Sequence, residues 1–495
     1  MSIKIALVNP PFLKNYSRQS RSPCVAKSGT IYFSYYLAYA GCSLEHNKHT
    51  VKFLDAIVTE STTEDIVDEL KEFNPQLIII DTSTPSIISD ILFASSLRTA
   101  YPNSYIVAVG TFPSKNTQEF FDLVTKHAPG SFNACLLGEY EESSSELANN
   151  LYNDSLSTID GLAYIGESGK LIVNGSLRKT SKEYLDELPF VSEFYLKHLG
   201  EEGIKRHFYA SITWPYIQIL TSRGCPFKCS FCNIPSIGSY RIRSIDSVIS
   251  ELHFISKKLP FVKEIFIEDD TFPINKKRTI ELCKRIVEEK INIRWSCNAR
   301  VDTDLEALEW MKKAGCRLTC VGFESPAENA LNGVIKKTNV EQQEGYMKMA
   351  SKIGIKVNGC FIIGLHGDTR ESIKETVQYS KKLMPNTAQF YPHMVYPGTG
   401  SFEWAESNNL LEHKDWSKWN TPEGFHNTPL SLNGLSSQDL LELADDARRE
   451  FYTNPKYLIK MLAQSLTSFS EFQRMLIAGR SFFPLLFSYF IKKNK

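Results

Sequence analysis

TSRGCPFKCSFCN, residues 221–233, is the stretch that decides the fold of this 495-residue chain. It follows an apolar strand-like run and precedes a helical pattern, and its cysteines Cys225, Cys229 and Cys232 have the spacing CxxxCxxC. Thiolates are soft ligands that suit iron–sulfur clusters, and a cubane requires one ligand for each of its four irons. The motif therefore predicts a 4Fe–4S cluster held by three cysteines, with one iron open to a further ligand.

A zinc site is the alternative for the same cysteines, because zinc closes a tetrahedron with a fourth Cys or His. The histidines nearest in sequence, His207 and His253, stand at no recognisable finger spacing. The chain has eleven cysteines in all, and Cys316 and Cys320 form a looser CxxxC pair. A second cluster is conceivable there, whereas inert buried thiols are the commoner fate of scattered cysteines.

Six strand-like apolar runs alternate with helical patterns in the middle of the chain. They span residues 217–220, 264–268, 293–297, 318–323, 356–363 and 388–395. Six successive βα units predict a partial (β/α)6 barrel over residues 211–400, with its site at the carboxyl ends of the strands.

The N-terminal part has the same α/β alternation. Its strand-like runs span residues 3–8, 51–54, 77–81, 105–109 and 134–137. This pattern predicts a doubly wound parallel sheet over residues 1–150, with ligands bound where loops leave the carboxyl ends of its strands. Residues 151–210 are interpreted as a hairpin, turning at 167–169, and a linker. Residues 401–495 are expected to form a helical C-terminal region.

Composition and charge exclude several classes of protein. Hydrophobic residues make up 42% of the chain and charged residues 23%, as in folded soluble domains. Lys plus Arg equals Asp plus Glu at 56 each, so no net field favours nucleic acid as a partner. The N-terminus lacks the pattern of a signal peptide, and no uncharged apolar stretch reaches about 18 residues. A cytoplasmic location is expected.

The motifs that follow CxxxCxxC resemble, in order, those of the radical S-adenosylmethionine superfamily. They are EIFIEDDTF (264–272), WSCNARVD (295–302), VGFESP (321–326), NGCFIIGLHGDT (358–369) and VYPGTG (395–400), one at the end of each successive strand. The resemblance implies that the open iron binds the amino and carboxylate groups of S-adenosylmethionine. It also implies that an electron from an external one-electron reductant yields a 5′-deoxyadenosyl radical, which abstracts a substrate hydrogen.

The same resemblance assigns candidate cofactor-binding residues to the first two motifs. Phe231, beside the third cysteine, would cover the adenine, or would equally serve as core packing. Glu268, Asp269 and Asp270 would hold the substrate's amino group, since an ammonium needs such acceptors. On a helix, three successive acids would usually form a solvated face.

The later strand ends complete the set that the resemblance assigns. Arg300 would pair with a carboxylate. Glu324 and Ser325 would contact the ribose hydroxyls or the methionine carboxylate region. Three residues of the fifth motif would lie near the adenine: Gly359, Ile362 and Gly364.

One large subgroup of the superfamily carries an N-terminal cobalamin-binding domain, which residues 1–150 resemble. The matching segments are NPPF (9–12), YLAYAG (36–41), FNPQLIIIDTST (73–84) and LLGEYEES (136–143). The resemblance implies that the corrin ring is bordered by Thr82, Ser83, Ser86, Gly110 and Thr111. Gly110-Thr111-Phe112 replaces the usual glycine pair and histidine, and no Asp-x-His-x-x-Gly occurs. A cobalamin-free sheet retained as scaffold is the alternative.

Relatives with this domain order imply two reactions. A cobalamin-dependent methyltransferase would methylate an unactivated carbon, whereas a radical cyclase or carbon–carbon bond-forming enzyme would use the same radical without methyl transfer. A redox-sensing module without turnover is a third, non-enzymatic hypothesis. The substrate is a small molecule or a lipid.

The C-terminal segment RMLIAGRSFFPLLFSYFIKKNK, residues 474–495, is apolar and aromatic with basic flanks. It is too short to span a bilayer, and Pro484 would break or kink a helix. A terminal helix packed over the barrel is one interpretation. The other is peripheral contact with a membrane, with basic residues meeting anionic lipid.

Overall fold

The computed structural model describes residues 2–153, 156–234 and 238–466. Within them, two mostly parallel sheets form, a seven-stranded sheet in the N-terminal part and a six-stranded sheet in the middle of the chain. The α/β fold class predicted from the sequence is confirmed, and each of the eleven predicted strands forms with boundaries that differ by at most three residues.

The first sheet has the strand order β2-β1-β3-β4-β5-β6-β7. Its strands are β1 (Lys4–Asn9), β2 (Thr50–Asp55), β3 (Leu77–Thr82), β4 (Tyr105–Gly110), β5 (Ala134–Leu136), β6 (Leu162–Ile165) and β7 (Leu171–Val173). The first five are parallel, and every residue of β3 is buried. Helices cover both faces of such a sheet, which is why its strands are continuous apolar runs.

The predicted hairpin forms and extends this sheet. β6 pairs antiparallel with β5, and β7 with β6. Gly169 of the turn has φ +74°, a conformation that glycine adopts without steric cost. The first sheet thus reaches Val173, and the domain limits near residues 150, 210 and 400 stay predictions.

Helices of the N-terminal part precede or follow these strands. They are α1 (Tyr35–His46), α2 (Ala56–Thr59), α3 (Thr63–Lys71), α4 (Ile87–Ala100), α5 (Thr111–Lys115), α6 (Thr117–His127), α7 (Glu141–Asn150), α8 (Lys182–Glu187) and α9 (Val191–Arg206). Thr62 caps α3 in a capping box with Asp65, which satisfies two backbone donors that the first turn leaves unpaired.

The six-stranded sheet is the predicted partial barrel. Its parallel strands, in spatial order, are β8 (Tyr216–Ile219), β11 (Glu264–Ile267), β12 (Arg294–Ala299), β13 (Cys316–Glu324), β14 (Lys356–Ile363) and β15 (Thr387–Pro392). A short antiparallel pair, β9 (Ser222–Arg223) and β10 (Arg241–Ile242), follows the first of them. The helices are α10 (Ile245–Lys258), α11 (Lys276–Glu288), α12 (Leu305–Lys313), α13 (Glu328–Gly333), α14 (Val340–Ile353) and α15 (Arg370–Leu383).

The C-terminal region packs beside the last barrel strands. It contains α16 (Gly400–Ser407), α17 (Ser437–Tyr452) and α18 (Pro455–Ser465), with a mainly irregular segment between α16 and α17. The apolar segment 474–495 lies outside the described residues. No helix in the described part of the chain combines the length and the apolar character needed to cross a membrane.

One continuous core joins the two sheets. Leu7 and Ile79 of the first sheet, Phe194 of α9, and Ile217 and Ile265 of the barrel belong to the same buried cluster. Polar contacts reinforce it: the Tyr39 hydroxyl of α1 accepts a hydrogen bond from the Leu220 backbone N–H at 2.9 Å. This packing holds the carboxyl ends of both sheets against one space.

Candidate active site

A cavity that is partly open to solvent lies between the first sheet and the barrel mouth. The first sheet contributes the carboxyl ends of β3 and β4 with the loops that follow them. The barrel contributes the end of β11 and the cluster loop, which we define as residues 224–234. Lining residues include Arg18, Gln19, Arg21, Tyr36, Asp81, Thr82, Gly110, Thr111, Lys115, Tyr140, Asn233, Ile234 and Asp270. Both predicted cofactor sites therefore border one space.

Asp269 holds the start of the cluster loop. Its carboxylate accepts hydrogen bonds from the backbone N–H groups of Thr221 (2.6 Å) and Ser222 (3.0 Å) and from both of their hydroxyls (2.6 Å each). Asp269 is fully buried. A carboxylate occupied in this way positions the loop rather than facing the cavity, while the prediction that it binds cofactor stays untested.

The three cluster cysteines are partly exposed, and basic side chains near two of them oppose the rise in pKa that burial causes. Burial raises the pKa of the Cys232 thiol to about 11, and Arg21 opposes this rise. Burial also raises the pKa of Cys229, against the nearby cations Lys336 and Arg300. In the described residues, no three Cys, His, Asp or Glu side chains lie together as ligands of one ion. A cubane instead binds each thiolate to a different iron, and the soft donor set suits it.

Arg21, from the loop after β1, reaches the end of β11. Its guanidinium lies 3.6 Å from Glu268 Oε1 and 3.5 Å from Asp270 Oδ1. Glu268 Oε2 is buried and, among the described residues, has no hydrogen-bond partner. Burial raises the pKa of Glu268 to about 7 and also raises that of Asp270, while Arg21 opposes both shifts. Two of the three predicted acids thus stand beside the cluster loop with capacity for a cationic group.

Glu268→Gln is expected to change how stability depends on pH. Burial raises the carboxyl pKa from 4.5 to about 7, so the folded state binds more protons than the unfolded state between these values. The free energy of unfolding of wild type therefore falls as pH rises through this range. The total loss that corresponds to the raised pKa is about 3 kcal/mol. The variant should melt at a higher temperature than wild type at pH 8 and gain much less at pH 5.

Thermal unfolding of both proteins across this pH range checks that expectation. Glu60→Gln, an exposed side chain that pairs with Lys14, is the control and should give no such trend. An equal shift for Glu268→Gln at both pH values would contradict the assigned pKa.

A second charged group lies at the end of β13. Lys336 Nζ donates to Glu324 Oε1 at 2.7 Å, and both side chains are buried. Arg300 stacks on Phe227 of the cluster loop, 3.6 Å from the ring centroid, and pairs with Asp302 at 3.1 Å. The predicted residues Glu324 and Arg300 therefore lie beside the cluster loop, each with a partner from the chain.

Phe231 and Ile362 come together as the sequence motifs suggest. Both pack, partly buried, against the small apolar cluster of Ala330, Val334 and Leu365. This arrangement suits a flat ring and equally suits core packing, so the assignment of an adenine site stays a prediction.

The other residues predicted in this part of the barrel have internal roles. Ser325 is buried, and its hydroxyl lies 3.1 Å from that of Thr376. Gly359 lies inside β14, where it pairs with Val321 and Ala388. Gly364 has φ +86°, and a Cβ there would lie 2.9 Å from Leu440 of α17, so glycine lets that helix approach.

In the first sheet, Ser83 and Ser86 belong to a buried network. Arg18 donates to Asp90 at 2.9 Å and also contacts the Ser86 hydroxyl. The Ser86 hydroxyl donates to Asp90 at 2.6 Å, and that of Ser83 lies 2.8 Å from the hydroxyl of Tyr16. These hydrogen bonds hold the loop after β3 in place. The predicted contact of the two serines with a corrin ring stays untested.

Thr82, Gly110 and Thr111 do line the cavity. The Thr82 hydroxyl donates to the Val109 carbonyl at 2.7 Å, which joins the ends of β3 and β4. Gly110 has φ +118°, and a Cβ there would lie 2.2 Å from the Thr82 carbonyl oxygen. Only glycine fits this close approach, because any Cβ would clash with the end of β3.

Sequence reasoning missed four basic residues of this site. Arg18, Arg21 and Lys115 line the cavity, and Lys336 lies beside Cys229. The sequence did contain a signal for two of them, the pair of arginines in RQSR, residues 18–21, in the loop after the first strand. Lys336 had no local signal, because its partner Glu324 belongs to another element.

A parallel partial barrel with CxxxCxxC behind its first strand, closed by a doubly wound sheet, defines a class of cluster-binding enzymes. The family model described as the radical SAM superfamily matches residues 219–380. An uncharacterised methyltransferase of Pyrococcus horikoshii is 31% identical over 462 residues, which is 92% of this chain and 94% of the relative. The chain belongs to the radical SAM superfamily and is an enzyme.

Two further proteins are similar to this chain, one in sequence and one in fold. The anaerobic magnesium-protoporphyrin IX monomethyl ester cyclase of Rubrivivax gelatinosus is 24% identical over 86% of this chain and 74% of its own length. The structure of the radical S-adenosylmethionine methyltransferase TsrM from Kitasatospora setae, with cobalamin and a 4Fe–4S cluster bound, has a TM-score of 0.64 and 18% identity. The match covers 89% of this chain and 81% of TsrM, and it shows the same fold.

Proposed function

We propose that the chain is a cobalamin-dependent radical methyltransferase acting on an unactivated carbon. The observation that carries this proposal is the shared cavity, in which the β3 and β4 loops face the cluster loop. When bound, the cluster with S-adenosylmethionine supplies a 5′-deoxyadenosyl radical and the corrinoid supplies a methyl group. An external reductant delivers the electron. The relative named as a methyltransferase, which aligns over nearly the whole chain, supports this choice.

The chain's own residues position these groups. Cys225, Cys229 and Cys232 would hold the cluster, and Asp269 keeps their loop in place. Glu268 and Asp270, which lie beside Arg21 at the end of β11, would accept the substrate's amino group. Tyr36 and Tyr140 line the cavity and would limit the access of water to a radical, which protects it from side reactions.

The corrinoid would lie over Gly110 and Thr111. The carboxyl ends of β1 and β3 mark the switch point of a 2-1-3-4-5 sheet, where such folds bind ligands. No histidine is among the cavity-lining residues that the structure describes, which accords with the missing Asp-x-His-x-x-Gly motif. Asp81, whose pKa burial raises to about 7, and Gln19 offer polar contacts at the rim.

Gly110→Val is expected to weaken retention of cobalamin by at least about tenfold, since a clash worth 1.4 kcal/mol already changes an equilibrium by that factor. The added side chain would strike the Thr82 carbonyl oxygen and force the ends of β3 and β4 apart at the cavity. Anaerobically reconstituted protein, supplied with equimolar hydroxocobalamin and desalted, is measured by its corrinoid absorbance.

Gly130→Val is the matched control for backbone strain. Gly130 also has positive φ, but no atom lies within 4 Å of its added Cβ. Both variants should keep the iron content of wild type. If wild type itself retains no corrinoid, the first sheet is a scaffold and the methyltransferase proposal fails.

A radical cyclase is the second candidate, favoured by the similarity to the magnesium-protoporphyrin cyclase. It would use the same cluster and radical without transferring a methyl group. The product mass separates the two reactions, because methylation adds one methyl group and cyclisation removes hydrogens.

The substrate is proposed to be a small molecule, with a lipid as one class, and not a nucleic acid. The enzyme is placed in the cytoplasm, with peripheral membrane contact through its C-terminal region. The composition of residues 474–495 supports this contact, although that segment lies outside the described residues.

A further inference from the structure

Helix α18 has two apolar faces, of which one is packed. Tyr457 and Met461 are buried, and the Tyr457 ring lies 4.8 Å from that of Phe451 on α17. Asn454 caps the helix by accepting from the Lys456 backbone N–H, and Pro455 takes its first position. The inner face thus accounts for why the helix forms and where it docks.

The outer face is apolar and open to solvent. Four large aliphatic side chains are more than half exposed: Leu458 (53%), Ile459 (69%), Leu462 (63%) and Leu466 (82%). At 3.6 residues per turn, these positions fall within one arc of about 100°. A contiguous exposed apolar patch of this kind marks an interaction surface.

The chain is basic in sequence from α18 onward. α18 carries Lys456 and Lys460 and has no acidic residue, and Lys460 donates to the Met384 carbonyl. Residues 455–495 contain seven Lys or Arg and one acid, Glu471, so their net charge is +6. Because the whole chain is neutral, residues 1–454 carry a net charge of −6. The basic charge is therefore concentrated in the part of the sequence that begins with α18.

We propose that the outer face of α18 binds an anionic phospholipid membrane surface. Leu458, Ile459 and Leu462 enter the headgroup region, and Lys456 on the same helix meets the lipid phosphates. The inference rests on the proposed membrane contact and assigns it to a described helix. It places the enzyme beside a membrane-borne substrate.

A second copy of the chain fits this face less well. The four side chains expose a few hundred Å², whereas a stable interface buries roughly 800 Å² on each partner. Two copies would also bring like-charged regions together, which opposes association. An anionic bilayer supplies both the apolar depth and the opposite charge.

Flotation of the full-length, cluster-loaded protein with vesicles tests the proposal. Wild type should float with vesicles containing phosphatidylglycerol, and much less with phosphatidylcholine alone or in high salt. The variant L458Q/I459Q/L462Q should bind anionic vesicles at least about tenfold more weakly, because the three substitutions remove most of the apolar area that the membrane would bury. Leu92→Gln, which changes a 51% exposed leucine on α4, is the control and should float like wild type.

Three outcomes would overturn the inference. The first is wild type that stays with the soluble fraction, and the second is a triple variant that floats as wild type does. The third is a dimeric wild type that the triple substitution converts to monomers in size-exclusion chromatography, which would assign the face to a second copy. The triple variant should release 5′-deoxyadenosine at the wild-type rate in solution, so a failed radical reaction is distinguished from failed membrane binding.

Discussion

Cys229→Ala is expected to lower the rate of S-adenosylmethionine cleavage by at least about 10³-fold, because no other group in the protein supplies the cluster's chemistry. Cys225→Ala and Cys232→Ala should do the same, since each thiolate binds a separate iron. Anaerobic reconstitution should give protein without the iron-dependent visible absorbance, and 5′-deoxyadenosine should not be detected by chromatography.

Cys283→Ala is the control for the loss of a thiol. Cys283 is buried in α11, away from the cluster loop, and its replacement should keep the absorbance and the cleavage. A protein with all three cluster cysteines replaced that still releases 5′-deoxyadenosine would refute the assignment of the cluster.

Arg18→Met is expected to destabilise the first sheet by about 3–5 kcal/mol, the usual cost of leaving one member of a buried ion pair alone. The side chains of Arg18 and Asp90 are almost fully buried, and the pair sits beneath the β3 loop. Without Arg18, the carboxylate of Asp90 keeps, among the described residues, only the Ser86 hydroxyl and the Ser83 N–H as donors. Thermal unfolding and hydrogen exchange of β1 and β3 measure the loss.

The effect of Arg18→Met should depend on pH. Burial already raises the pKa of Asp90 to about 6 in wild type, and removing Arg18 raises it further. A protonated Asp90 carries no unpaired charge, so the destabilisation should be smaller at pH 5 than at pH 8. The pair replacement Arg18→Met with Asp90→Leu should recover most of the stability. Equal destabilisation at both pH values, without recovery in the pair, would contradict this account.

These two predictions concern the two sides of one cavity. The cysteines lie on the barrel side, and Arg18 holds the loop on the side of the first sheet. If Arg18→Met lowers corrinoid retention while the cluster remains, the two sides can be damaged separately. Such a result would agree with a site whose barrel side and first-sheet side are held in place by different residues.

The sequence by itself determined eleven strands of the two large sheets and singled out three cysteines as the candidate cluster ligands. Strands buried on both faces are written as apolar runs such as LIIIDT in β3, and CxxxCxxC places three soft ligands within one loop. These features depend on residues close together in the chain, so local patterns are sufficient to identify them.

Only the tertiary structure decided what each polar residue at the strand ends does. Asp269 binds Thr221 and Ser222, whereas its neighbours Glu268 and Asp270 face Arg21, which lies about 250 positions earlier in the chain. Ser83 and Ser86 bond to protein groups because Arg18 and Asp90 meet beneath them. Partners so distant in sequence leave no periodic signal, since their encounter depends on how two sheets pack. The packing of α18 was likewise decided by tertiary structure. Both of its faces are apolar in sequence, and only the fold shows which of them α17 covers.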